Sequence, residues 1–496
     1  MREDNSSNKT SHRIMNIGRN QYAIVPSVYE TKFKFCKRLE FGKYTALLGD
    51  RCNSTLVSFK GWTMLLLGYA IDTENPSLVE SEMLSNIALD LNIHANNLFQ
   101  LTLYWCGRWA LFITNDDNDL IVCTDCCALK QVFYSNDVFA SQSRYVAYVV
   151  DDTVDDDAKA YMEKSMSVEK EYSWPLGFTL YNTVKRLLPN HIYINGNVTR
   201  AKIDNYFSSL SRNERVVRVS ALLKNTIKAA AFRKKLAVTL TAGWDSRIVF
   251  AACNDIKDKV DIVTLKYHNI DDSHIDIKIP KDLCAQYGYD HHLLPCKTLK
   301  PDFVAAYKEH SENAHDYWIQ MTQSIEDYGY DDWFWTKGSC NEISRNSAGI
   351  VYDCQVTAKM LCKLYGIHYC DYSARIIHSW LNDLKSNTKD EQYSLLDYFY
   401  WEHRLGSWLA ECLNEADIVG ETFTPFNTRA YFEMVKNVPV AERVSPYYRF
   451  FEGLLDSCGM DLSIPVNPGR YSSIQAKIKC LIKNRLHFIY GILLNR

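Results

Sequence analysis

The sequence predicts an α+β half built on hairpins, followed by an α/β half with a parallel sheet and a helical C-terminal part. Between about Tyr44 and Val149, short apolar runs rich in strand formers alternate with turn residues. From Leu236 to Pro295, strand-like and helix-like runs alternate in a βαβαβ rhythm, which argues for parallel strands covered by helices. Beyond Ala358 the spacing is helical.

In chain order, residues 1–24 are polar and read as a loose leading segment without the apolar core of a signal peptide. The run from Leu56 to Ile71 reads as two strands with Gly61 near their turn, and the stretch from Leu84 to Leu103 has helical spacing. Two hairpins come next, one turning at Asn115–Asn118 and one at Asn136–Asp137. The first turn is acidic but lacks the ligand ladder of a calcium loop. Cys123, Cys126 and Cys127 have no second pair at zinc spacing and read as thiols. The run Asp151–Asp157 holds five aspartates and reads as a solvated linker or helix start. His191, beside a turn, reads as structural.

The boundary between the halves falls at Asn205–Arg212. Asn213 is the expected cap of a helix to about Phe232, whose apolar stripe is Val216, Val219, Leu222, Leu223, Ile227 and Ala230. Val260–Lys266 reads as a second strand of the parallel sheet and Ile275–Gly288 as the next helix. His291 and His292 are adjacent in a strand and therefore point to opposite faces, which excludes a shared metal. An aromatic strand from Trp333 stops at Gly338, and a polar turn carries Asn341 and Glu342.

The most informative stretch is the first strand of this second half together with the turn at its end. A run ending at Leu240 breaks into Thr241-Ala242-Gly243-Trp244-Asp245-Ser246, and an apolar helical run starts by Ile248. Small residues there let backbone N–H groups approach an anion, and the helix aims its positive dipole end at the same space. Thr241 and Ser246 add hydroxyls, and Asp245 is a natural ligand for magnesium riding on phosphate. Neither G-x-x-x-x-G-K-[ST] nor G-x-G-x-x-G is present.

This loop resembles the S-G-G-x-D-S pyrophosphate loop of the asparagine synthetase family. Gly243, Asp245 and Ser246 match, Thr241 replaces a serine, and Ala242 replaces a glycine, narrowing the approach to the phosphates. The resemblance extends over about residues 44–470. It implies an N-terminal sandwich of the Ntn-hydrolase type (25–205), marked by Gly107-Arg108-Trp109 and Asp125, and an ATP-pyrophosphatase domain (206–496). The glutaminase nucleophile of that family is an N-terminal cysteine; position 2 here is Arg2, so the expected first domain is a relic without hydrolase activity. Residues from Trp174 to His191 resemble the segment that seals the two domains. The resemblance further places Leu240, Trp244 and Leu265 against the nucleotide, Asp276 near it, and Gly338, Asn341 and Glu342 in a second loop facing the pyrophosphate. Asn341 stands where that loop has a second magnesium-binding aspartate. Arg404 and Arg429 fall in elements lining the acceptor side, with helix-to-helix ion pairs as the alternative. Lys477 or Arg470 would reach the leaving pyrophosphate, although no motif fixes either.

The implied function is ATP- and magnesium-dependent adenylation of a carboxylate and its transfer to an amine or ammonia. The expected partners are a small-molecule or glycan-linked carboxylate, as in surface-polysaccharide or natural-product assembly, and an amine donor; homodimerisation is left open. A nucleotide-binding scaffold with weakened catalysis is the rival reading, suggested by Ala242 and Asn341. Composition agrees with a globular chain: 496 residues, 47% hydrophobic and 23% charged, with a net charge of −3 that gives no argument for nucleic acid. Sixteen scattered cysteines point to free thiols in the cytoplasm. No apolar run approaches the roughly 20 residues of a membrane span. The basic and apolar segment 472–496 reads as a packed terminal helix, with a membrane-surface helix as the rival.

Overall fold

The computed structural model describes all residues except 1–14, 30–32, 92–94, 169–173, 202–205, 268–269, 312–314, 347, 388–393, 446, 469–472 and 496. Arg2, Asn205 and Arg470 therefore lie outside the described residues. Every adjacent pair in two six-stranded sheets of the first half is antiparallel. One sheet runs in the order 185–186, 133–135, 138–140, 22–26, 44–48, 37–41, and the other 197–200, 191–194, 120–124, 105–115, 62–72, 54–59.

Period-two alternation assigns each side chain to a layer. Leu65 and Leu67 join Tyr22, Ile24, Tyr44 and Phe112 in the core between the sheets. Their neighbours Met64 and Leu66 face the helices Glu80–Asp90 and Ala95–Leu101 through Leu84, Ile87 and Leu98. The outer face of the other sheet, with Ala23, Val25 and Leu47, is covered by Tyr145 and Val146 of the helix Ser143–Val150. The first half is thus four layers: helix, sheet, sheet, helix.

The second half is a five-stranded parallel sheet in the order 291–295, 260–266, 236–239, 334–336, 422–423. Its first strand in sequence, Leu236–Thr239, is central, and the chain adds two strands on one side before crossing to the other. Helices cover both faces: Val238 packs with Ile248 and Val249 on one side, while Ala237 and Val263 pack with Phe303, Tyr307 and Ile319 on the other. The helix Arg212–Arg233 leads into the sheet and is capped by Ser211, not Asn213. Ser211 Oγ accepts from Glu214 N at 3.4 Å and Glu214 Oε2 accepts from Ser211 N at 2.8 Å. This S-x-x-E box satisfies two donors reciprocally, which a lone asparagine two residues later does not.

The halves share a buried polar seam. Arg108 grips Asp417 with two bonds of 2.7 and 3.0 Å and donates to Leu129 O. Asp125 accepts from the backbone N–H groups of Trp109, Cys127, Leu129 and Lys130, and from Asn427 Nδ2 at 2.8 Å. Trp174 and Leu176 offer their carbonyls to Ser407 Oγ, so the segment from Trp174 meets the helical part across the seam. None of the sixteen cysteines forms a disulfide among the described residues, and Cys123, Cys126 and Cys127 are buried. Among the described residues no helix is long and apolar enough to cross a membrane.

Candidate functional site

In a parallel sheet with this strand order, the connections leave the central strands in opposite directions, so a crevice opens at their carboxyl ends. Here it is a cavity of about 340 Å³, lined by Thr239–Thr241, Gly243, Asp245 and Ser246 after the central strand, and by Lys337–Ser339 and Glu342 after the strand Phe334–Thr336. Val263–Leu265, Tyr267, Ile277, Trp318, Met321 and Trp335 supply apolar walls. That size and lining suit one small organic ligand.

The helix on the cavity floor begins earlier than its apolar pattern suggests, at Trp244, with Gly243 as cap. The loop is held from three directions. Thr241 N donates to Ser246 Oγ at 3.0 Å, Ala242 N to Asp276 Oδ1 at 2.9 Å, and Gly243 N to Thr241 Oγ1 at 3.3 Å. From outside, Asn467 N donates to Ala242 O at 3.0 Å, and the buried Arg247 donates to the carbonyls of Ile464 and Pro465.

Two glycines differ in what demands them. A Cβ on Gly338 would lie 2.6 Å from the Asp245 carbonyl carbon and 2.8 Å from Ser246 N, so the fold itself excludes a side chain there. A Cβ on Gly243 would meet Thr241 Oγ1 at 3.5 Å and Asn467 at 3.9 Å, ordinary contacts. The fold tolerates a methyl at 243, and Gly243 lines the cavity. Ala242, expected to narrow the approach to phosphate, points the other way: its methyl is fully buried in the core, and only its N–H and C=O serve the loop.

Asp245 is engaged by protein on both oxygens. Arg345 Nε donates to Oδ1 at 2.7 Å and Nη2 to Oδ2, while Asn341 Nδ2 also donates to Oδ1 at 2.7 Å. The Asn341 oxygen accepts from the hydroxyls of Tyr431 and Ser344, which fixes the amide with its nitrogen toward the carboxylate. Among the described residues no group of three His, Cys, Asp or Glu side chains is arranged to hold a metal. Asp245 and Asn341 therefore do not fit the magnesium pair implied by the resemblance: one carboxylate is spent on a guanidinium, and the amide oxygen on two hydroxyls.

Glu342 lines the cavity with a buried Oε2 that has no hydrogen-bond partner among the described residues. Burial, then the Asp245 charge, pushes its carboxyl up to about 7, against the pull of Arg345. Lys337, which no motif in the sequence singles out, also lines the cavity. Its ammonium stands 4.9 Å from the Trp318 ring centroid and forms no ion pair among the described residues. Burial pushes it down to about 8, with Cys412 opposing. Lys337 and Arg345 flank recognisable landmarks, Gly338 and Glu342, yet nothing in a single sequence distinguishes them from surface cations.

The remaining expected residues divide. Leu240, Leu265, Asp276 and Gly338 line the cavity. Trp244 does not; it packs on Tyr448 and Phe451. Arg404 stacks on Trp408, its guanidinium carbon 3.3 Å from the ring centroid, and lowers the Glu342 carboxyl without lining the cavity. Arg429 is buried in the seam against Phe99 and Asn190, away from the cleft. Lys477 is exposed on the helix Ile474–Arg485, while Ala476, Lys479, Cys480 and Lys483 face a separate cavity beside Arg345.

Fold and cleft together define a mixed α/β protein with a ligand-sized cavity at the switch point of a parallel sheet. No family model matches the chain, and no curated protein matches it. Among solved structures it is similar to a glutamine-dependent NAD+ synthetase from Acinetobacter baumannii in complex with ADP, at 10% identity and a TM-score of 0.21, covering 39% of this chain and 43% of that one. It is also similar to an NH3-dependent NAD synthetase from Campylobacter jejuni, at 13% identity and a TM-score of 0.22, covering 40% of this chain and 95% of that one. The chain thus spans less than half the length of the first of these.

Proposed function

We propose that this chain is an ATP-dependent amide-forming ligase of the asparagine synthetase type. The observation that carries the reading is the switch-point cavity, floored by a helix N-terminus whose capping Gly243 lines it although the fold there would accept a methyl. In this reading the adenine lies toward Leu265 and Tyr267 and the phosphates toward Gly243. A carboxylate oxygen attacks the α-phosphorus, the bond to pyrophosphate breaks, and a carboxyl-AMP forms. An amine or ammonia then attacks the acyl carbon, the bond to AMP breaks, and a proton leaves the nitrogen.

The chain's own groups serve these steps. Lys337 offsets charge building on the departing pyrophosphate, where low surrounding dielectric strengthens the effect. Glu342, with its carboxyl near neutrality, receives the amine proton. Arg404, stacked on Trp408 outside the cavity lining, acts on the site through its charge, which favours the ionised form of Glu342. Within the same proposal, residues 25–205 are a glutaminase-type fold without hydrolase activity, 206–496 the synthetase unit, and the substrate a small-molecule or glycan-linked carboxylate. The four-layer first half is compatible with that reading.

Pyrophosphate release from ATP tests it across a panel of carboxylates with an amine present. Release that rises with both enzyme and one carboxylate is the expected result. ATP binding without release under any carboxylate would favour a nucleotide-binding scaffold, a reading to which the Arg345 engagement of Asp245 lends weight.

A further inference from the structure

The last two helices, Ile474–Arg485 and His487–Asn495, are held on the body by one face only. Tyr490 and Leu494 pack against the main core, and Tyr490 Oη donates to Ala348 O at 3.1 Å. Gln355 Nε2 donates to Phe488 O at 3.1 Å, and Asn495 Nδ2 to Gln355 O at 2.9 Å. Gly491 lies so close that a Cβ there would stand 2.4 Å from Gln355 Oε1. The attachment is specific.

The opposite face is apolar and uncovered. Ile474, Ile478 and Leu481 stand on one side of the first helix, 50–76% exposed, and on the second Phe488, Ile489, Ile492 and Leu493 are 38–59% exposed. A helix apolar on both faces normally has both buried. Charge says what covers it: the two helices carry Lys477, Lys479, Lys483 and Arg485 and no aspartate or glutamate, and of these Lys477, Lys479 and Arg485 are exposed while Lys483 lines the cavity beside Arg345. In an isologous pair of this face, cations would meet cations. An anionic surface meets them favourably, while neither helix is long and apolar enough to cross a membrane.

We propose that this face is a docking surface for an anionic lipid bilayer, with the helices lying in the headgroup plane, Phe488 and Ile492 inserted and Lys477 among the phosphates. The placement of these helices carries the inference, independently of the nucleotide reading. The test is co-sedimentation of the full chain with vesicles of phosphatidylcholine alone and of phosphatidylcholine with phosphatidylserine. The chain is expected to pellet with anionic vesicles at least about tenfold better than with neutral ones, and salt should reverse much of this. The exposed-site variants Phe488→Asp with Ile492→Asp should abolish pelleting, and Lys477→Glu should weaken it, all with unchanged circular dichroism and melting. No pelleting with either vesicle, equal pelleting with both, or retention by the double Asp variant overturns the proposal. So does a wild-type dimer in light scattering that the double variant converts to monomer, because a second copy would then be the occupant.

Discussion

At the residue scale, the two glycines separate demands of the fold from demands of a ligand. Gly338→Ala forces a methyl against the Asp245–Ser246 backbone and should destabilise by about 1–3 kcal/mol in denaturant unfolding. Gly243→Ala meets only ordinary contacts and should change stability by less than about 0.5 kcal/mol. Glu342 makes a second test. Its carboxyl is raised, so between its ordinary value of 4.5 and about 7 the native state holds a proton that the unfolded chain has released; this carboxyl therefore makes stability fall as pH rises through that window. A charged Glu342 also repels an anionic ligand. ATP should accordingly bind more tightly at about pH 6 than at about pH 8, and Glu342→Gln should flatten that contribution in calorimetric titrations at the two values. Equal slopes in both proteins would remove Glu342 from the ligand site. Gly243 and Glu342 were legible because their neighbours form recognisable strings. Arg345 and Lys337 were not, since a cation's meaning depends on which carboxylate or ring the fold sets beside it.

At the element scale, the helix Arg212–Arg233 shows how a local signal sets a position. Its Ser211 and Glu214 box fixes where the helix begins, and the helix leads into the central strand. Ser211→Ala should cost about 1 kcal/mol, read as a lower unfolding midpoint at unchanged denaturant slope, whereas Asn213→Ala should cost little. The strands of both halves and the hairpins of the first were legible from apolar runs, alternation and turn residues, because these are local. The helix Trp244–Ala252 starts four residues before its apolar pattern does, since Trp244, Asp245 and Arg247 are placed by tertiary partners: Tyr448, Arg345 and the Ile464–Pro465 carbonyls. The depth at which Arg429 lies was equally invisible, because its partners Phe99 and Asn190 are more than two hundred residues away in sequence.

At the scale of the whole molecule, the polar seam ties the four-layer half to the parallel sheet. Arg108 and Asp417 are both buried, so Arg108→Ala leaves a carboxylate without its counter-ion and should destabilise by about 3–5 kcal/mol, with loss of cooperativity between the halves in thermal unfolding. A single unshifted transition in that variant would mean the seam contributes little. Strand order is also a whole-molecule property: the βαβαβ rhythm implied parallel strands, but only the crossing from Pro295 to Phe334 makes the central strand a switch point and puts the cavity above Gly243. The central claim is that this cavity is a nucleotide site. Calorimetric titration of ATP into the native chain and into Gly243→Ala tests it most directly. Saturable one-to-one binding, weakened at least about tenfold in a variant of native stability, is the expected result; absence of saturable heat in the native chain, or equal affinity in the two proteins, would contradict it.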